Sequence, residues 1–320
     1  MISTTALVFA ILALLLTGPV PAFLSRATWP YRAPRAALVL WQAIAVAAVF
    51  SAFSSGLAIG GLLLVPGPDG RPTTSPTDEI DALGLPLWLF YVIVLAITLS
   101  IGAKLMFSVV QVAVRTRRRR ARHRILVDLL DRSSDSGRPF PGIRDADVRV
   151  LDTVEPIAYC LPGLRQRVVL SEGALTNLDS SEIKAILSHE RSHLRSRHDL
   201  VLEAFTAVNE AFPRIVRSKS ALGSVHLLVE LLADDSAVKV TGPTPLARAL
   251  VTCAGSTAPR GALAAGGPST LIRVKRLAGP RSDVRTSVAA YATAAVILVG
   301  PTIFVAMPWL VELSRLFGLH

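Results

Sequence analysis

Asp179-Ser180-Ser181-Glu182, followed seven places on by His189-Glu190-Arg191-Ser192-His193, decides how this chain is read. Asp179 with an acid three residues later is a helix start, the cap side chain taking a backbone N–H and the acid reaching back to the cap. Ile183, Ile186, Leu187, Leu194 and Leu200 then supply an apolar stripe at helical spacing, which predicts an amphipathic helix. Residues four apart stack on one face of a helix, so His189 and His193 can grip one metal ion from one side. Zinc suits two neutral imidazoles, which it binds at about 2.0–2.1 Å in a tetrahedral shell. Glu190 sits one step round the helix, within reach of a water on the ion's open position. Zinc lowers that water's pKa to about 7. A carboxylate beside it can take the proton and hand it to a leaving amine. The HExxH spacing therefore predicts zinc-dependent peptide-bond hydrolysis with one Zn2+ per chain and Glu190 as the catalytic base.

A third protein ligand is needed, and reach limits the choice. Glu203 lies ten residues beyond His193, about 15 Å along an unbroken helix at 1.5 Å per residue. The ligand is expected from a second helix, within Val225-His226-Leu227-Leu228-Val229-Glu230-Leu231-Leu232-Ala233-Asp234-Asp235. Glu230 and Asp234 share a face there, while Leu227, Leu228, Leu231 and Leu232 form the buried flank. A carboxylate in such apolar company is costly unless paired or bound to metal. Glu230 is read as the ligand, and Asp234 as the group that orients a metal-bound histidine through its other nitrogen. His226 is a rival ligand or a transition-state donor. His198, His226 and Arg197 all remain open as the oxyanion stabiliser. Metal binding needs neutral imidazoles, so activity is expected to fall as acid protonates His189 and His193.

The rest of the chain reads as an integral membrane protein, mainly α-helical. Half of it is apolar (51%), yet its net charge is +11, a combination that suits membrane spans with basic loops. Four apolar runs are long enough to cross a hydrocarbon core that needs about 20 residues: Thr5 to Leu24, Ala36 to Val65, Leu85 to Val114, and Val288 to Leu310. Pro301 and Pro308 are expected to kink the last. Trp29, Tyr31, Trp41, Trp88, Tyr91 and Trp309 lie near the ends of these runs, as interfacial aromatics do. The first run lacks a basic leader and is followed by Arg26, Arg32 and Arg35, so it is read as an uncleaved anchor. The positive-inside rule then puts both termini outside the plasma membrane, with loop 25–35 in the cytoplasm. Loop 66–84, with Asp69, Asp78, Glu79 and Asp81 against Arg71, faces out. The run Arg115-Thr116-Arg117-Arg118-Arg119-Arg120-Ala121-Arg122-His123-Arg124 faces the cytoplasm and brings the HExxH helix with it. This cluster reads as an anchor on anionic headgroups rather than a nucleic-acid surface, since no base-reading motif accompanies it.

Three domains follow: residues 1–114 with three spans, a cytoplasmic α+β metalloprotease domain over 115–285, and 286–320 with the fourth span and a short outer tail. Within the cytoplasmic part, 125–135 reads as a short amphipathic helix and Ser133 to Pro141 as a loop. Val148–Leu151, Ile157–Leu161 and Arg167–Leu170 read as strands, the last two forming a hairpin about Pro162-Gly163. A strand beside the HExxH helix could take an extended peptide by strand addition. Ala254 to Thr270 reads as a mobile loop, and Leu271 to Leu277 as a basic amphipathic helix leading into the fourth span. Cys160 and Cys253 fall on the cytoplasmic side and are expected to stay reduced.

The run from Pro156 to Asp199 resembles the BlaR/MecR-type antirepressor membrane zinc metallopeptidases. The likeness is carried by Val168-Val169-Leu170-Ser171, Leu178, Ile183, His189-Glu190-Arg191-Ser192-His193 with Arg197-His198-Asp199 behind it, and Glu230-Leu231-Leu232-Ala233-Asp234 downstream. It implies a gluzincin fold, zinc on His189, His193 and Glu230, Glu190 as general base, and Asp199, Asp234 and His226 around the ligands. It also implies signalling by cleavage of a cytoplasmic winged-helix repressor of the BlaI/MecI type, or by self-cleavage. The best-known members carry a penicillin-binding sensor domain after the last span. This sequence ends at His320, so that sensor is expected to be missing and the input to come through loop 66–84, the spans or a partner. HtpX-type quality-control proteases share the same two motifs and are the second resemblance. A non-catalytic, metal-stabilised receptor or scaffold is the third reading.

Overall fold

Apolar runs and their prolines set the first elements. The computed structural model describes residues 2–65, 75–131, 147–163, 165–212, 219–254, 263–264, 269–279 and 284–316. The first run is two helices rather than one, α1 (Ile2–Thr17) and α2 (Pro19–Arg26), because Pro19 has no N–H to continue the ladder past Gly18. A 3-10 turn, Trp29–Tyr31, leads into α3 (Pro34–Gly60), which Pro34 opens from a first-turn position that needs no donor. The short α4 (Pro76–Leu83) precedes α5 (Leu85–Leu129), a single helix of 45 residues. The third apolar run, the arginine cluster and the start of the expected separate helix at 125–135 are thus one rod. No proline or glycine interrupts it after Gly102, and arginine is a good helix former. The fourth run is α12 (Val284–Pro301), a π-helical turn at Thr302–Ala306, and α13 (Met307–Leu316). The π turn falls between Pro301 and Pro308, where the ladder loses donors. Among the described residues, four stretches are long and apolar enough to cross a membrane: Thr4–Arg26, Pro34–Leu63, Leu85–Leu129 and Val284–Pro301.

Between α5 and α12 lie four strands and six helices among the described residues. The strands are β1 (Val148–Leu151), β2 (Ala158–Leu161), β3 (Arg167–Ser171) and β4 (Leu263–Ala264), in the order β1-β3-β2-β4. The β2–β3 hairpin is antiparallel, with Cys160 opposite Val168, and β1 runs parallel to β3. β4 pairs antiparallel with β2, Cys160 opposite Leu263. Both edges of β2 are therefore taken, and the outer edges of the sheet are β1 and β4. The helices are α6 (Glu172–Asn177), α7 (Ser180–Ser196), α8 (His198–Ala211), α9 (Lys219–Thr241), α10 (Pro243–Thr252) and α11 (Thr270–Leu277). The readings for Ser133 to Pro141, for most of Ala254 to Thr270, for 66–74 of the outer loop and for the tail past 316 lie outside the described residues.

Two cores place the site. In one, the sheet packs on α7 and α10 through Val150, Cys160, Val168, Leu170, Ile186 and Leu250. In the other, α3 packs directly on α9, with Trp41 and Leu38 against Val225, Leu228 and Leu231. The long helix α5 is tied along its length. Ser108 Oγ donates to the Ala207 carbonyl of α8 at 2.8 Å, His123 Nε2 lies 3.0 Å from Tyr159 Oη on β2, and Asp128 pairs with Arg149 and Arg167 at 3.2 Å each. The segment around the HExxH motif thus shares its packing with the apolar helices rather than forming a separate body.

Candidate metal centre

The helix that carries HExxH is built from its first residue. Asp179 Oδ1 accepts from the backbone of Ser181 and Glu182 at 2.8 and 2.9 Å, and Glu182 Oε2 accepts from the Asp179 N–H at 3.0 Å. This closes a reciprocal capping box that fixes the start of α7, and with it which residues face inward. Ile186, Leu187, His189, Glu190, His193 and Leu194 are buried. Leu200 is 47% exposed, because the helix breaks before reaching it. Arg197 takes a left-handed conformation, φ 48° and ψ 43°, and the chain restarts as α8. A left-handed non-glycine residue is strained, and such strain gathers at functional sites. Here it turns His198 back toward α7.

His189 Nε2 and His193 Nε2 lie 3.2 Å apart. Glu230, from α9, brings Oε2 to 3.4 Å from His189 Nε2 and Oε1 to 3.5 Å from His193 Nε2. A tetrahedral shell with bonds of about 2.0–2.1 Å has edges of roughly 3.3–3.4 Å, so these three groups are spaced as ligands of one such ion. Their protonation points the same way. Asp234 Oδ1 lies 3.0 Å from His189 Nδ1, and His198 Nδ1 lies 3.1 Å from His193 Nδ1. A proton on each Nδ1 satisfies both contacts, and once His189 gives up its second proton two Nε2 lone pairs and the Glu230 carboxylate face one another as a metal-ligating set. The donor set therefore fits zinc.

The surrounding charges follow from burial and contact. Burial alone would raise Glu230, but the histidines and Arg273 outweigh it and hold it at about 2. Burial would lower His189, but Asp234 and Glu230 overcome that and lift it to about 9, the signature of a pocket with excess negative charge. Burial pushes His193 down to about 3 and His198 down to about 4, so both rings are neutral at physiological pH. Glu190 is fully buried, and neither of its oxygens makes a hydrogen bond of ordinary geometry among the described residues, although the Cys160 thiol of β2 lies close by. Burial, opposed by His189 and reinforced by Glu230, raises its carboxyl to about 8.

Four residues gain a role that the sequence reading did not give them. Arg273, on α11, is 1% exposed and clamps Asp234 through Nε and Nη2 at 2.8 and 2.6 Å, while Nη1 lies 2.9 Å from Glu230 Oε2. Its signal was a cation one turn before Leu277, on the apolar side of a basic helix. His198 takes the place behind His193 that a carboxylate commonly holds. Arg120, within the arginine run, turns inward to Asp199 at 2.9 Å and Glu203 at 2.8 Å. Asp199 is thus the partner of Arg120 and, among the described residues, makes no hydrogen bond or ion pair to the three ligand groups. Arg276 holds Asp235 through two contacts at 2.7 and 2.9 Å. His226 is exposed on α9, and the described residues show no hydrogen bond from it to the ligand groups. Arg197 makes the turn, and Cys160 and Cys253 are free thiols.

The model of Peptidase family M48 matches residues 116–224. The matched stretch contains His189, Glu190 and His193 and stops short of Glu230. It supports a metallopeptidase of that family, whose members are typically zinc-dependent. No curated protein and no solved structure matches the chain.

Proposed function

We propose that this protein is a membrane-embedded zinc endopeptidase whose active site faces the cytoplasm. In this reading it signals by cutting a winged-helix repressor of the BlaI/MecI type, or itself. One observation carries the peptidase reading: His189, His193 and the half-buried Glu230 converge as a metal-ligating set beside Glu190, a buried carboxyl raised to about 8. His189, His193 and Glu230 would hold the ion. Bound there, zinc would supply a polarised scissile carbonyl and a water acidified to near-neutral pKa. Glu190 Oε takes a proton from the attacking water and delivers it to the departing amine, a task suited to a group titrating near the working pH. Asp234 fixes His189 as the Nδ1–H tautomer, and His198 does the same for His193. Arg273 keeps Glu230 and Asp234 ionised without letting either swing away. The basic loop 25–35 and the arginine run supply the cytoplasmic orientation by the positive-inside rule. The repressor target rests on the motif resemblance over 156–235.

Glu190→Gln keeps the size and polarity of the side chain and removes the base. The purified variant should retain zinc and lose at least a hundredfold in proteolysis, the upper range for a positioned base being about 10⁴. Full activity in that variant overturns the peptidase reading and leaves the receptor or scaffold. Cells expressing active and Glu190→Gln protein are then compared by quantitative proteomics. One stabilised DNA-binding repressor supports signalling. Accumulation of many unrelated membrane proteins replaces it with quality control.

A further inference from the structure

Beside the metal centre, on the far side of α11, a cavity of about 370 Å³ is lined by Arg32, Arg35, Asp235, Lys239, Arg276 and Tyr291, among others. Four separate elements build it: the turn into α3, the last part of α9, the end of α11, and the second turn of α12. Its charges do not cancel. Asp235 is already held by Arg276, whose Nε also donates to the Tyr31 carbonyl. Arg32, Arg35 and Lys239 are exposed and make no ion pair among the described residues. Cations brought together from three distant segments, with the only lining carboxylate spoken for, form a receptor for an anion.

The position says which anion. Arg32 and Arg35 flank the start of α3, and Tyr291 lies near the start of α12, both apolar helices long enough to cross a membrane. These helices pack through Ala36, Ala43, Ala47, Ala290 and Ala294. Next to the cavity, Val288 is 62% exposed and Tyr291 40% exposed. The cavity therefore joins a basic floor to an apolar, open-sided helix surface. A basic pocket between spans at the cytoplasmic boundary suits an acidic lipid headgroup. We propose that this cavity binds an anionic glycerophospholipid, the phosphate held by Arg32, Arg35 and Lys239 and the acyl chains lying along α3 and α12. The lipid assignment rests on the membrane topology proposed above. The cavity and the metal centre share α11, which carries Arg276 at the first and, one turn earlier, Arg273 at Glu230 and Asp234.

The cations of the arginine run provide the control. Arg118, Arg119 and Arg122 are exposed on one open face of α5 and should attract acidic lipid without selecting a bound molecule. The test uses full-length Glu190→Gln protein, so lipid binding is read without any cleavage and stands or falls separately from the peptidase reading. The protein is reconstituted in phosphatidylcholine with added phosphatidylglycerol, extracted in mild detergent, and its retained lipid counted by native mass spectrometry. Wild-type side chains at the cavity should retain phosphatidylglycerol in preference to phosphatidylcholine. Arg32→Gln/Arg35→Gln/Lys239→Gln should weaken retention roughly a hundredfold, at about fivefold per cation. Arg118→Gln/Arg119→Gln/Arg122→Gln should leave it unchanged. All three cavity residues are exposed, and Lys239→Glu alone, read in the same way, guards against a folding defect in the triple variant. Retention by the cavity variants equal to the parent overturns the proposal. So does displacement of the lipid by inorganic phosphate alone, which would make the cavity a site for the free anion.

Discussion

Asp234→Asn tests the charge balance around the metal centre more sharply than loss of a ligand would. Asp234 is fully buried, lies 3.0 Å from His189 Nδ1 and accepts two bonds from Arg273 at 2.8 and 2.6 Å. Asparagine keeps the shape and can still accept from His189, but it removes one negative charge. Arg273, 1% exposed, is then a buried cation with one carboxylate charge fewer beside it and Glu230 still 2.9 Å away. It competes with the ion for that ligand. Loss of an outer-shell partner commonly costs 10–100-fold in metal affinity, about 1.4–2.7 kcal/mol. Because the change also strands a charge, the expected loss lies at the upper end. The reasoning makes a second demand. Arg273→Met added to Asp234→Asn removes the stranded cation and restores the original net charge, so the double variant should bind zinc about tenfold more tightly than Asp234→Asn alone. Arg273→Met by itself leaves Asp234 and Glu230 with an uncancelled charge and should not weaken zinc in proportion to its effect on folding. The assay is competition for zinc against a chromophoric chelator with full-length protein in detergent, combined as a double-mutant cycle. Unchanged affinity in Asp234→Asn, or a double variant no better than the single, would refute the account of Arg273 and Asp234 as a coupled pair.

Metal-free protein holds a proton on His189 up to about pH 9 and on Glu190 up to about pH 8, so zinc uptake near neutral pH should expel between one and two protons and tighten as pH rises. Calorimetry in buffers of different ionisation heat reads the number, and a value of zero contradicts the assigned site. Both groups bind protons more tightly folded than unfolded, so without metal their contribution to stability is complete below about pH 4.5, falls between there and about pH 9 as Glu190 and then His189 deprotonate, and is gone above it. Thermal melts of chelated protein should fall across that interval, and a rise there would reverse the sign of the argument. Asp179→Ala removes the capping box of α7 and should cost about 1 kcal/mol, seen as a lower melting midpoint with the zinc-binding stoichiometry intact. Gly56→Leu should separate α3 from α5, because even a Cβ there would lie 2.0 Å from Thr98 Oγ1; reduced yield of folded protein in detergent is the readout, and a fully stable variant would show that the two helices do not need that approach.

What could be read from sequence was local. The cap at Asp179, the stripe through Ile186 and Leu187 and the four-residue step from His189 to His193 all lie within one helix, where spacing dictates direction. Glu230 and Asp234 were legible for a related reason, since two acids on one face of a leucine-rich segment need a partner. Arg273 was not, because it stands 84 residues from His189 and reaches the site only when α11 folds back over α9. The break at Arg197 was equally hidden: Ser196-Arg197-His198 contains no glycine to announce a left-handed turn. Without that turn His198 would point along the helix, away from His193. The arginine run misled in a different way. Its composition suggested a uniform anchor, whereas helical periodicity divides it, with Arg120 buried against Asp199 and Glu203 and Arg118, Arg119 and Arg122 left outside. Composition reports how many cations there are, and only the fold reports which way each one faces.

That division has a mechanical reading. Each helix that lines the metal centre is fastened to an apolar helix by a specific contact. α9 carries Glu230 and is packed on α3 through Trp41 and Leu228. α8 begins with His198, behind His193, and is bound to α5 by Arg120 at one end and by Ser108 and the Ala207 carbonyl nearer the other. One ligand atom from each of His189, His193 and Glu230 lies within 4.8 Å of the others, and a ligand set of that kind tolerates little displacement of the helices that carry it. A separate soluble domain on a flexible tether would be insulated from such a shift. This chain has no such insulation among its described residues, because the apolar helices and the ligand helices share one core. The packing therefore makes the geometry of the metal centre a direct function of how the apolar helices sit against one another.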